Sequence, residues 1–184
     1  MSDLWLRIIG IGEDGLNGLS PASRAALEAV EIVFGGPRHL ALAEAGARGR
    51  AWPVPFSIAP VLACRGKKVA VLTSGDPFWH GAGGALAAQV SPGEWQCFPT
   101  PSTFSLAAAR LGWRLEELAC LGLHAAPFER LVPVLAPGVK AICLLRDGAA
   151  AGALAAWLTD KGFGASELHV LEALGGGRER VRKV

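Results

Sequence analysis

The chain has 184 residues, 51% of them hydrophobic and 18% charged, with a formal net charge of +2. That apolar content can build one α/β domain or two small lobes, and it excludes a disordered chain; without a Gly-X-Y period it excludes a collagen-like one too. The near-balanced charge gives nucleic acid no electrostatic footing, and no apolar run approaches the roughly 20 residues of a membrane span.

The chain opens MSDLWLR, acid before base, without the charge order of a signal peptide. A cytoplasmic protein with neither a nucleic-acid nor a membrane partner is expected. Leu4–Ile11 is a short Ile-rich run bounded by Gly, the pattern of a buried strand. Ser20-Pro21 predicts a helix start, an N-cap followed by proline at the first helical position, and the apolar spacing runs on to Val30. A strand at Glu31–Phe34, a helix at Pro37–Ala45 and a strand at Lys67–Thr73 follow. Next come a small-residue helix at Gly81–Val90, a strand at Glu94–Phe98 and a helix at Phe104–Leu111.

The alternation restarts with strands at Ala119–Leu123, Val139–Leu145 and Glu167–Leu174 and helices at Pro127–Leu135 and Gly152–Lys161. Strands alternating with helices predict mainly parallel sheets. A lobe boundary is expected near Gly112-Trp113, giving an N-terminal α/β lobe over 1–112 and a C-terminal α/β lobe over 113–184. Gly175-Gly176-Gly177 and a basic tail then end the chain with no closing helix, as expected of a piece cut from a longer, fused chain. Cys64, Cys97, Cys120 and Cys143 form no C-x-x-C and sit in apolar contexts; they read as reduced core thiols, with no metal site.

Gly10, Gly12 and Gly15 spell G-x-G-x-x-G behind the first strand. A dinucleotide loop holds pyrophosphate on a helix that begins inside the motif. Here Glu13 and Asp14 would repel a diphosphate, and the helix starts later, at Ser20. The remaining readings are a tight loop whose glycines supply positive φ, or one that lets another backbone or a cationic ligand come close. The stretch TSGDPFWHGAGG, Thr73–Gly84, lies at the carboxyl end of a predicted central strand, where open α/β sheets bind ligands. Pro77 holds Asp76 extended, so its carboxylate can accept from a ribose hydroxyl or an amino group.

IGIGEDG, SGDPFWHG, PSTFSLAAARLGW and LGGGRERV, in that order and spacing, resemble the tetrapyrrole (corrin/porphyrin) methyltransferase family. EDGLNGLSP, GGPRHL and LGGGRERV are similar to its precorrin-6Y branch, and specifically to the module that methylates carbon 5. The resemblance covers nearly the whole chain. It implies a two-lobed fold with a cleft between the lobes, S-adenosyl-L-methionine as cofactor, a tetrapyrrole substrate and methylation of a precorrin ring carbon in cobalamin biosynthesis. It also implies a homodimer, and a fused or associated second methyltransferase and decarboxylase module. By the same likeness Gly75 and Asp76 line the cofactor, Trp79 covers it, and Ser102 and Thr103 contact it. Leu145, Arg146, Ala173 and Leu174 are expected at the adenine, and Ile11 and Gly12 at the border of substrate and cofactor.

No motif names a general base; Glu13, Asp14 and His80 are candidates by position. His39, beside Arg38, reads as a surface or capping residue, and His124 and His169 as structural. Arg38, Arg110, Arg146 and Arg178 flank predicted loops and suit substrate carboxylates. Two rival readings keep the fold: a methyltransferase acting on RNA or protein, and a noncatalytic module that binds a tetrapyrrole.

Overall fold

The computed structural model describes residues 3–184. They form two compact units, one of 3–103 with 175–177 and one of 104–174 with 178–184.

The first unit is built on a five-stranded sheet. Its strands are β1 (Leu6–Ile11), β2 (Ile32–Gly35), β3 (Gly49–Ala51), β4 (Val69–Ser74) and β5 (Trp95–Phe98), in the order β3-β2-β4-β1-β5. All pairs are parallel, with Leu6 opposite Val69 and Ile11 opposite Ser74. Strands buried on both faces read as continuous apolar runs, as β1 and β4 do. Alternate residues serve opposite faces: Ile9, Ile11, Ala70 and Leu72 pack with Leu27, whereas Leu6, Ile8, Val69 and Val71 pack with Leu86. Leu27 belongs to α1 (Pro21–Glu28) and Leu86 to α4 (Gly83–Ala87). The connections leaving adjacent β1 and β4 therefore depart to opposite faces, which opens a crevice at the carboxyl ends of these strands.

Ser20 caps α1 as its sequence predicts, its Oγ accepting from Ser23 N at 3.1 Å. α2 (Pro37–Leu42) also begins on a proline. The three residues of β3 and the four of α3 (Ala59–Leu62) carry too little periodicity to be read in advance.

The second unit contains α5 (Thr103–Leu111), with Thr103 itself counted in the first, and α6 (Gly148–Asp160). Its strands are β6 (Leu118–Gly122) and β7 (Lys140–Leu144), a parallel pair, and β8 (His169–Glu172) and β9 (Arg180–Lys183), an antiparallel pair. Three expectations are corrected here. The helix at Pro127–Leu135 is a 3-10 helix over Phe128–Val134, because Pro133 inside it has no N–H for an α ladder and disfavours α geometry before it. α6 starts four residues earlier than predicted, where Asp147 accepts from Ala150 N at 3.0 Å. The basic tail forms β9, held to β8 by pairs such as Arg182–Glu172.

Candidate functional site

Three segments of the first unit meet at the carboxyl ends of β1, β4 and β5. Gly75 follows β4 at φ 60°. Its N–H donates to Ile11 O at 3.3 Å, and its carbonyl accepts from Thr100 N at 3.3 Å and Thr100 Oγ1 at 3.2 Å. A Cβ on Gly10 would overlap the Gly75 carbonyl oxygen, and one on Gly75 would stand 2.8 Å from Ser102 Cα. Contact thus demands glycine at 10, and both contact and left-handed φ demand it at 75. The arrangement gathers Ile11, Gly75 and buried Ser102, with Gly12, Asp76 and Thr103 next along the chain.

Asp76 is half-buried. Its Oδ1 accepts from Phe78 N at 2.8 Å, an Asx turn that fixes the carboxylate at the strand end. Burial and then the Asp76 charge hold the Cys97 thiol above its usual pKa. Phe78 leans on Trp95 at 5.6 Å, and Trp79 and His80 are exposed, His80 at φ 60°.

The glycine loop packs against its own side chain. A Cβ on Gly12 or Gly18 would strike the Asp14 carboxylate, so these positions leave room for an acid. Gly15, at φ 59°, has the Leu42 carbonyl 2.8 Å from its would-be Cβ. A loop filled by a carboxylate and flanked by Glu13 offers no cradle for diphosphate.

A polar cluster joins this loop to two other strand ends. Arg38 forms an ion pair with Glu13 through Nη1, and its Nη2 donates to Ser74 Oγ at 2.9 Å. His39 Nε2 lies 2.8 Å from Ser74 Oγ and 3.3 Å from Arg38 Nη2. Burial, and then Arg38, hold His39 down to about pKa 4. Gly176 closes over the same loop, a Cβ there falling 2.6 Å from Glu13 Cβ. EDG, GGPRHL, the end of β4 and the glycines at 175–177 therefore converge. His39 is no isolated surface or capping residue, and Ser74 drew no notice in the sequence. Yet the rule that singles out the loop after β4 applies equally to the loop after β2, and it would have found His39.

The other candidates lie in the second unit. Arg146, paired with Asp147 at 3.0 Å, lines an open depression of about 590 Å³ with His124, Phe128, Glu129 and Ala150. Leu145 precedes it and is partly buried. Ala173 has φ 51°, and Leu174 is buried beside Phe104 and Ile142. Arg110 is bound to Glu179, its Nη2 donating to Oε2 at 2.9 Å. Among the described residues no group of His, Cys, Asp and Glu could hold a metal ion, and no helix is long and apolar enough to cross a membrane.

The family model for tetrapyrrole (corrin/porphyrin) methylases matches residues 6–184. A precorrin-6Y C(5,15)-methyltransferase [decarboxylating] of Sinorhizobium sp. is 44% identical over 96% of this chain and 44% of its own length. The protein of that name from Mycobacterium tuberculosis H37Rv is 35% identical over 95% of this chain and 45% of its own. The chain thus spans a little under half the length of these relatives. A cobalt-precorrin-7 C(5)-methyltransferase of Salmonella typhimurium is 29% identical over 68% of this chain and 65% of its own. Among solved structures, a precorrin-6Y methylase of Archaeoglobus fulgidus shares the fold at TM-score 0.69 and 24% identity, covering 97% of this chain and 88% of that one. Uroporphyrin-III C-methyltransferase of Thermus thermophilus does so at TM-score 0.65 and 26% identity, covering 98% and 84%. With a match over almost its whole length, the chain belongs to the tetrapyrrole (corrin/porphyrin) methylase family.

Proposed function

We propose that this chain transfers a methyl group from S-adenosyl-L-methionine to carbon 5 of a precorrin ring in cobalamin biosynthesis. One observation carries the choice of carbon. The chain matches less than half of each C(5,15) relative but 65% of the Salmonella protein, whose name gives one carbon, 5. On this reading the rest of the longer relatives supplies the carbon-15 and decarboxylation steps, as a fused module or a partner. The same reading takes the protein to be a cytoplasmic homodimer, with family likeness as its support.

The strand-end geometry fits the donor. It offers closely packed backbone, small residues and a half-buried carboxylate that spends Oδ1 on its own turn. Asp76 would accept from a ribose hydroxyl or amino group, with Ile11, Gly12, Gly75, Ser102 and Thr103 bordering the ligand and Trp79 covering it. Leu145, Arg146, Ala173 and Leu174 are assigned to the adenine. The donor supplies an already activated methyl, so these residues chiefly align and desolvate, effects worth about 7–11 kcal/mol in favourable cases.

Calorimetry tests the cofactor. S-adenosylhomocysteine should bind with micromolar-class affinity and NAD should not. Asp76→Ala should weaken that binding about tenfold or more without unfolding the protein, as expected for a lost hydrogen bond to a charged group, with only a small fall in melting temperature from the lost turn bond to Phe78. Tighter binding of NAD would overturn the reading.

A further inference from the structure

We propose that Ser74 and His39 take up the proton that the tetrapyrrole sheds when its ring carbon is methylated. The inference rests on the functional reading above and adds residues that likeness to the family did not supply. Ser74 is exposed at the end of β4, and the next residues are Gly75 and Asp76, assigned above to the cofactor.

The hydrogen-bond directions are fixed by what each group can do. A guanidinium only donates, so Arg38 Nη2, 3.3 Å from His39 Nε2, makes Nε2 an acceptor. The imidazole hydrogen is then on Nδ1, which is buried without a partner. Arg38 also donates to Ser74 Oγ at 2.9 Å, so the Ser74 hydroxyl gives its own proton to Nε2 at 2.8 Å. One Ser74 lone pair remains unused, on a residue that is exposed. Glu13, ion-paired to Arg38, holds the guanidinium that sets this direction. Burial and Arg38 keep the ring neutral at physiological pH, so Nε2 starts unprotonated, and they make the imidazolium short-lived once it forms.

The step balances. The ring carbon forms its bond to methyl with an electron pair drawn from the conjugated ring, and the C–S bond of the sulfonium donor breaks with its pair going to sulfur. A conjugated ring N–H thereby becomes acidic. Its proton passes to Ser74 Oγ as the Ser74 hydroxyl proton passes to His39 Nε2. The product has gained a methyl and lost a proton, and the imidazolium, disfavoured by burial and Arg38, releases the proton to water. Ser74 touches the substrate; His39 acts through it.

The test has two arms on the full chain. Nitrogen-15 spectra of histidine-labelled protein at neutral pH should show His39 with its hydrogen on Nδ1, identified as the histidine that stays neutral under mild acid and whose signal is lost in His39→Gln. Hydrogen on Nε2 overturns the relay, whatever the activity. In single-turnover reactions with S-adenosylmethionine and a precorrin, Ser74→Ala and His39→Ala should slow methyl transfer about 100-fold or more, with S-adenosylhomocysteine affinity within about twofold of wild type. Variants that keep the wild-type rate overturn the relay and leave the functional reading standing. A wild type that transfers no methyl overturns both.

Discussion

The two units differ in how they cover their strands. In β1, β2 and β4 every residue except Arg7 and Ser74 is buried. In β6 and β8 none is, in β7 only Ile142 is, and β9 is exposed throughout. A parallel sheet covered on both faces holds its strand ends rigidly, whereas isolated two-stranded pairs are marginal and depend on the helices packed against them. The polar cluster of Glu13, Arg38, His39 and Ser74 stands on the rigid unit. Precise hydrogen-bond distances need such a support.

The contrast is broken most severely at Gly10. Any side chain there meets the backbone oxygen of Gly75, and backbone on both sides cannot swing away. Gly10→Ala should cost more than about 3 kcal/mol, the range of severe core lesions, seen as a large fall in melting temperature. Core truncations come next. Ile9→Ala, in a side chain fully buried between β1 neighbours, should cost about 3–4 kcal/mol, and Leu121→Ala, in a partly buried one, about half that. Equal costs in denaturant titrations would erase the distinction between the units.

Much of this was legible in the sequence. β1 and β4 announce themselves as apolar runs, and α1 by Ser20-Pro21. The loop after β4 is legible because Thr73–Gly84 follows a clear central strand and stands in order with the other motifs; Asp76-Pro77 alone is an ordinary turn. The role of the acidic glycine loop is not legible, since that Gly12 and Gly18 make room for Asp14 is a three-dimensional fact. Nor is the His39–Ser74 pair, whose members lie far apart in the chain and meet only through parallel strand order. β9 was missed because an exposed basic strand has no apolar alternation, its partners being Glu167 and Glu172.

Titration should attack the two units from opposite sides. His39 in the first unit is held down to about 4 from 6.5, so the unfolded chain takes up its proton first. Its contribution is complete above pH 6.5 and is lost as pH falls toward 4, on the order of 2–3 kcal/mol. In the second unit burial, and then Cys120, push Cys143 up to about 11 from 9.0. The unfolded thiol ionises first, so stability is complete below pH 9 and falls as pH rises toward 11, by on the order of 2 kcal/mol. Region-resolved hydrogen exchange should show β1 and β4 loosening in acid and β6 and β7 in alkali. His39→Gln should flatten the first response and Cys143→Ala the second. Loosening of both units together at either extreme would show that these groups do not set the pH limits.

The mildest test uses two glycines of the second unit that differ in conformation and not in crowding. Gly152 lies inside α6 and Gly162 just beyond its end, and neither has an atom within 4 Å of a would-be Cβ. Gly152 has helical backbone, so alanine there removes freedom from the unfolded chain without strain, and Gly152→Ala should gain about 0.5–1 kcal/mol. Gly162, at φ 86°, ends the helix in the left-handed region, and its N–H donates to Thr159 O at 3.0 Å. Alanine there must bear a left-handed penalty, so Gly162→Ala should lose about 1–2 kcal/mol. Opposite signs from the same one-carbon addition, read as melting shifts, would show that α6 is a stable support for β6 and β7. Equal signs would mean that α6 frays at its end and that the weakness of this unit lies in its helix as well as in its exposed strands.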